Sequence, residues 1–315
     1  MMLDTLGSLI YMRILKAVIP AAGLGTRLLP ATKSQPKEML PVGRKPTIQY
    51  VVEELEAAGI NQILIITGQK KRAIEDHFDR DTELIRCLEE KGSYDLIEAL
   101  MHEDTQVQMF YTRQSEQLGT AHAIGLAENF VDGEPFVVCL GDSIIKSDQP
   151  GSFLKRLIYT HERRNASVTI AFQEVGREDV VKYGIAAPDP AQSESSEFRL
   201  VGLVEKPPVD EAPSNLAISA RYVFGPEIFD AIRETPRKGR EYQITDSIRI
   251  LMNSHEVWGL KLGPGEERFD VGGFESYFKA FVTFALEDEE VGESFRNYAM
   301  ELLNVHHPSR ELVSD

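Results

Sequence analysis

Ala21-Ala22-Gly23-Leu24-Gly25-Thr26-Arg27 follows directly on the apolar run from Ile14 to Ile19, and Leu28-Leu29-Pro30 and Lys37 come close behind. Small residues after a strand let backbone N–H groups approach an anion closely, and Arg27 and Lys37 add charge for phosphate oxygens. A Gly-x-Gly alone equally describes a plain turn between strand and helix. Two familiar phosphate-binding spacings are excluded. Leu28 stands where Gly-x-Gly-x-x-Gly needs its third glycine, and no Gly-x-x-x-x-Gly-Lys-Ser/Thr occurs in the chain.

Outward from this loop, short apolar runs alternate with helical patterns. Strands are expected at Ile14 to Ile19, Ile63 to Ile66, Val107 to Tyr111 and Phe136 to Leu140. Helices are expected at Ile48 to Ala58, Lys71 to Phe78, Glu83 to Leu100 and Ala121 to Asn129; in the first, Ile48, Val51, Val52 and Leu55 share a face and Gly59 marks the end. This alternation is that of βαβ units and predicts an α/β fold with a mostly parallel sheet covered on both faces. The second half is less regular, with strands at Ser167 to Phe172, Arg199 to Glu205 and Leu216 to Phe224 and helices at Pro226 to Arg233 and Ile244 to Met252. Ala187 to Glu197 reads as a surface loop or hairpin tip. Glu275 to Leu303 reads as helices with an acidic run, Glu287-Asp288-Glu289-Glu290, forming a solvated face or part of a subunit contact. No repeat or linker divides the chain, so residues 12–315 read as one domain and residues 1–11 as an optional leader.

The chain has 315 residues, 42% hydrophobic and 27% charged, the composition of a globular protein with a large core. Against 50 Asp and Glu stand 34 Lys and Arg, and the net charge of −16 repels nucleic acid and anionic membranes at long range. An anionic substrate therefore needs a local positive pocket or a divalent cation. Cys87 and Cys139 have no metal-binding or redox spacing and fit a reducing compartment. Leu9 to Met12 lacks the basic flank of a signal peptide, and no run reaches the ~20 apolar residues of a membrane span. The expectation is a cytoplasmic protein with neither a nucleic-acid nor a membrane partner.

Residues 21–42, Ala-Ala-Gly-Leu-Gly-Thr-Arg-Leu-Leu-Pro-Ala-Thr-Lys-Ser-Gln-Pro-Lys-Glu-Met-Leu-Pro-Val, closely resemble the sugar-phosphate nucleotidyltransferases, and among them the bacterial UTP-glucose-1-phosphate uridylyltransferase branch, where Pro-Lys-Glu-Met-Leu-Pro is characteristic. The resemblance runs from Met12 to about Leu286. It implies a Rossmann-like three-layer αβα fold with a mixed central sheet, Mg²⁺, UTP and glucose 1-phosphate as substrates, and a homo-dimer or tetramer. A phosphate monoester is already largely dianionic at pH 7, so attack on the α-phosphorus of a nucleoside triphosphate needs no general base. The protein must instead hold two polyanions in line and stabilise the transition-state charge.

That demand singles out carboxylates and lysines. Asp142 lies at the carboxyl end of the expected strand Phe136 to Leu140, where open α/β sheets place ligands, although an Asp after Gly is also a common turn residue. The resemblance implies that Asp142 and Asp270 hold the metal; Asp270 also reads as an N-cap for a helix near Phe274. Glu205-Lys206-Pro207 reads as a solvated pair at a strand end, and the resemblance implies that Glu205 accepts from sugar hydroxyls and Lys206 binds the 1-phosphate. Gly184, after Tyr183, is a plain strand-end glycine or the family's sugar-contacting backbone. For the nucleotide, the resemblance implies Ala22, Gly23, Gly25, Thr26, Gln114 and Gly119, with Gln114 and Gly119 at the pyrimidine edge and Arg113 and Gln117 beside them. Arg27, Lys37 and Lys206 are the implied catalytic cations. His122, at a helix start, reads as a structural or surface histidine, because the chemistry calls for no base.

Three segments depart from the uridylyltransferase pattern: Gly119-Thr120-Ala121, Asp270-Val271-Gly272-Gly273-Phe274, and Arg44 where an acidic residue often precedes Lys-Pro. They leave the reaction class untouched and bear on the nucleotide and sugar. Distinguishing UTP from dTTP rests on one methyl group, worth roughly 1–3 kcal/mol. A thymidylyltransferase or another hexose-1-phosphate specificity keeps the same mechanism, whereas a non-catalytic paralogue would have lost the charged residues that are present here.

Overall fold

Period-two alternation in the apolar strands builds the core. The computed structural model describes residues 14–100 and 105–306, and the expected leader lies outside them. The strands are β1 (Lys16–Pro20), β2 (Pro41–Val42), β3 (Lys45–Pro46), β4 (Gln62–Thr67), β5 (Gln108–Arg113), β6 (Phe136–Cys139), β7 (Ser143–Lys146), β8 (Val168–Glu174), β9 (Gly184–Pro188), β10 (Glu197–Glu205), β11 (Leu216–Phe224), β12 (Val257–Lys261) and β13 (Glu267–Asp270). The helices are α1 (Thr47–Ala58), α2 (Arg72–Phe78), α3 (Thr82–Lys91), α4 (Tyr94–Ala99), α5 (Thr120–Gly125), α6 (Glu128–Val131), α7 (Ser152–Arg164), α8 (Ile228–Glu234), α9 (Ile244–Leu251), α10 (Phe274–Leu286) and α11 (Gly292–His306).

Among the described residues, nine strands form one sheet in the order β5-β4-β1-β6-β11-β8-β12-β10-β9. β1, β4, β5 and β6 run parallel, and only β10 and β11 oppose the rest, so the sheet is mixed and mostly parallel, as expected. Val18, Leu64, Ile66, Phe136 and Val138 face one side, under α5, α6, α8 and α9. Ala17, Ile19, Ile63, Ile65, Val137 and Cys139 face the other, under α1, α2 and α7. The result is the three-layer αβα arrangement. A third cluster, with Leu28, Leu40, Val42, Ile144, Phe269 and Val271, seats α10 against β2 and the β7–β13 ribbon.

Two expected helices are each divided. Glu83 to Leu100 is α3 and α4, broken where Gly92 turns to φ 67°. Ala121 to Asn129 becomes α5 and α6, with Leu126 and Ala127 between them. Asp270 is not the N-cap of α10; Gly273 is. The acidic run lies on an exposed face, where Arg44 binds Asp288 and Glu290 and Lys146 binds Glu287.

On α7, His161 is 5% exposed and its Nδ1 lies 3.1 Å from the Thr169 hydroxyl. Burial holds its imidazole down at about 4 instead of 6.5. The folded state therefore disfavours the proton that the unfolded chain binds, and stability present above pH 6.5 is lost as pH falls towards 4. A loss of about 3 kcal/mol is expected over that window. Urea unfolding at pH 7 and pH 4.5 measures it, and a His161→Phe variant should show a correspondingly smaller difference between the two pH values.

Candidate active site

The glycine-rich loop, the segment Lys37–Met39, the Gln114–Thr120 segment and the β6–β7 turn open onto a cleft of about 730 Å³, within the range of ligand sites. Its wall includes Ala22, Gly23, Gly25, Thr26, Lys37, Gln114, Gly119 and Asp142. Arg27, Gly184, Glu205, Lys206 and Asp270 lie outside that wall.

Lys37 is the bridge between loop and turn. Its Nζ lies 2.5 Å from Asp142 Oδ2, and a side chain at Gly23 would come within 3.7 Å of that ammonium. Burial opposes the charge on Lys37, but Asp142, Glu38 and Asp270 outweigh it and raise its pKa. Burial likewise pushes Asp142 up, yet the charge and hydrogen bond of Lys37, with Arg268 behind, bring it below the usual carboxylate range. Asp270 goes the other way. Burial and the negative charge of Asp142 raise it against the pull of Arg268, Arg27 and Lys37. Val271 N–H donates to the Asp142 carbonyl at 2.8 Å, and Asp270 pairs with Ser143 across the β7–β13 ribbon, so the two acids stand side by side. Arg27 reaches this corner and not the cleft: a Cβ on Gly272 would lie 2.6 Å from its Nη2.

Among the described residues no three acidic, His or Cys side chains cluster as a complete metal cage. Two carboxylates suit a hard cation that keeps its remaining sites for water and substrate phosphate. The donor chemistry fits.

On the Gln114–Thr120 wall, Gln114 is 3% exposed. Its amide nitrogen lies 3.2 Å from the Gly119 carbonyl and 2.9 Å from His122 Nδ1, which leaves Oε1 as its free acceptor. Gly119 has φ 94°, and a Cβ there would sit 2.5 Å from the Tyr242 carbonyl, so only glycine fits. Tyr242 N–H donates to Leu118 O at 2.7 Å, which pins the loop carrying Arg237 and Arg240 onto this wall. Gln117 lines the cleft, while Arg113 faces Glu75 at 3.7 Å. Sequence reading missed Arg237, Arg240 and Lys71. The last forms a buried pair with Glu38 at 2.7 Å, directly behind Lys37.

At the β9–β10 edge, Gly184 and Glu205 are register partners. A Cβ on Gly184 would meet Ile218 Cδ1 at 2.7 Å and Glu205 Oε2 at 3.2 Å. Lys206 N–H donates to Tyr183 O at 2.9 Å, and Lys206 holds φ 46°, an unusual conformation for a lysine, with its Nζ 3.5 Å from Glu205 Oε1.

Residues 16–287 match the sequence profile described as nucleotidyl transferase. The chain belongs to the nucleotidyl transferase family. A relative from Staphylococcus epidermidis named UTP–glucose-1-phosphate uridylyltransferase is 46% identical over 292 residues, 92% of this nucleotidyl transferase and 99% of the relative. One of the same name from Bacillus subtilis is 45% identical over 93% of this chain and 98% of its own. A UTP-bound UGPase from Acinetobacter baumannii has a TM-score of 0.85 at 37% identity, covering 92% of this nucleotidyl transferase and all of that structure.

Proposed function

We propose that this nucleotidyl transferase converts UTP and glucose 1-phosphate into UDP-glucose and pyrophosphate in the cytoplasm, as one domain over residues 12–315 and as a homo-dimer or tetramer. The observation that carries the reaction class is the Lys37–Asp142 pair beneath the glycine-rich loop, with Asp270 alongside and the Glu205-Lys206 corner beyond. The names of the full-length relatives support the substrates.

A phosphate oxygen of the sugar 1-phosphate attacks the α-phosphorus of UTP. The bond to the bridging oxygen breaks, and pyrophosphate leaves with the electron pair. Lys206 holds the 1-phosphate, Glu205 and the Gly184 backbone hold the sugar, and Lys37 binds nucleotide phosphate and neutralises the charge that develops on it. Arg27 is poised at the Asp270 corner for the same phosphates. Asp142 and Asp270 would hold Mg²⁺, which supplies charge neutralisation at the reacting phosphates when bound. The free Gln114 Oε1 accepts from the uracil N3–H, and the backbone of Gly119, Ala22 and Gly23 closes around base and ribose, with Gly25 and Thr26 on the phosphates.

Pyrophosphate release with Mg²⁺ and glucose 1-phosphate, comparing UTP, dTTP, ATP, CTP and GTP, tests the proposal. Release with UTP well above the others is the expected result; a preference for dTTP or a purine nucleotide overturns the substrate assignment, and silence with all five overturns the reaction. Lys206 is 58% exposed at its side chain, so Lys206→Ala should leave the melting temperature in place. It should lower kcat/KM for glucose 1-phosphate by about 10²-fold, the order of a lost charge-assisted phosphate contact. Steady-state kinetics within twofold of the parent would remove Lys206 from the phosphate site.

A further inference from the structure

Two arginines are buried near the β6–β7 turn, and they are used differently. Every nitrogen of Arg221 is bonded: Nε and Nη2 donate to the Glu54 carboxylate, Nη2 also to Ser143 O at 2.9 Å, and Nη1 to Ala220 O at 3.1 Å. Arg268, on β13, is 7% exposed at its side chain yet almost unbonded. Its Nε reaches Ser143 Oγ at 3.4 Å, its Nη2 stops 3.6 Å from Asp270 Oδ1, beyond hydrogen-bond distance, and its buried Nη1 has no partner. Its guanidinium lies over the Tyr183 ring, 5.0 Å from the centroid. A guanidinium has five N–H donors, and a purely architectural one would be expected to satisfy them as Arg221 does.

What surrounds Arg268 explains the difference. Behind it stands Asp270, 3.6 Å away, whose strand neighbour is Ser143, next to Asp142. In front stands Tyr183, whose carbonyl accepts the Lys206 N–H and whose next residue is Gly184. A hydrogen bond to Asp270 would occupy the carboxylate oxygens that the proposed function reserves for a cation; a charge 3.6 Å away compensates the acid and leaves those oxygens free.

We propose that Arg268 is a positioning residue for the sugar-phosphate half of the site, bracing the Tyr183–Gly184 turn by stacking and holding Asp270 by charge without tying up its oxygens. This rests on the UTP and glucose 1-phosphate reading above. Among the described residues Arg268 meets Ser143, Asp270 and Tyr183 and none of these lies on the Gln114–Gly119 wall, so its removal should spare UTP binding without Mg²⁺.

The experiment is calorimetric titration of UTP and of UDP-glucose, with and without Mg²⁺, into the parent, Arg268→Met and Arg268→Lys, beside steady-state kinetics in both substrates. Arg268→Met should bind UTP without Mg²⁺ within about twofold of the parent, bind UDP-glucose at least tenfold more weakly, and show a raised KM for glucose 1-phosphate with a lowered kcat. Arg268→Lys restores the charge but not the flat stacking surface, and should recover part of kcat while the KM for glucose 1-phosphate stays high. A general loss of packing would weaken both ligands together, so equal losses, or none, overturn the proposal. Should Arg268→Met fail to fold by circular dichroism, Arg268→Lys carries the same comparison: an unchanged KM for glucose 1-phosphate overturns the idea. A parent that binds neither ligand sinks the proposed function itself, which separates that failure from this one.

Discussion

Asp142→Ala and Asp142→Asn are expected to slow UDP-glucose formation by about 10³-fold or more, close to ~4 kcal/mol of transition-state stabilisation. Asp142 is held below the usual carboxylate range by Lys37, so it is ionised across the working pH, while Asp270 beside it is raised by burial and by the charge of Asp142. Two neighbouring acids that resist joint ionisation gain most from a cation between them and phosphate. Asn keeps an oxygen for Lys37 Nζ, which lies 2.5 Å from the native carboxylate, and so preserves the ion's hydrogen bond while removing the anion. The alanine variant leaves a part-buried ammonium without its partner and should melt lower than the asparagine variant. Pyrophosphate release and thermal melts together decide the role. Full turnover in Asp142→Asn would assign Asp142 to the turn alone, the ordinary alternative for an Asp after Gly.

The fold was legible where a strand or helix carries its own pattern. In α1, Ile48, Val51, Val52 and Leu55 are all buried at helical spacing, and β11 coincides with the expected run because every residue from Leu216 to Phe224 is buried. α7 was not read, since Phe153, Leu154 and Leu157 are diluted by a charged face ending in Arg163-Arg164. β12 was missed because Gly259 interrupts a five-residue run, and that glycine is there to clear the Phe198 ring, 2.4 Å from where a Cβ would stand. β7 and β13 are four residues each and exist by pairing with one another. The site divides the same way. The loop and Lys37 form one contiguous stretch and could be read directly. Lys71, Arg237, Arg240 and Arg268 reach the site from distant positions, and their flanking sequence looks like ordinary charged surface. Arg44 was seen as a departure, yet its partners Asp288 and Glu290 lie more than 240 residues away, so the acidic run and the arginine explain each other only in three dimensions.

Glu54→Ala or Arg221→Met alone is expected to destabilise the fold by about 3–5 kcal/mol, because each leaves an uncompensated charge in the interior. Arg221 has no exposed side-chain surface and Glu54 has 7%, and they join α1 to β11 through contacts of 2.6 to 3.2 Å. Burial opposes the Arg221 charge, and Glu54 foremost outweighs it and raises the guanidinium pKa. Replacing both together, Glu54→Leu with Arg221→Met, should cost less than either single change, since a packed apolar pair needs no compensation. Urea unfolding of the four proteins yields the coupling directly; additive losses would mean that the pair acts as two independent hydrogen-bonding groups. The double variant also separates stability from placement. Arg221 donates to Ser143 O, one residue past Asp142, and to Ala220 O, which also accepts Leu140 N–H at 3.1 Å where β11 bulges at φ 56°. Those bonds fix both sides of the Asp142 turn. A double variant that regains stability but stays at least tenfold slow in pyrophosphate release would show that the buried pair holds the turn in place, a task that an apolar pair of similar volume cannot perform.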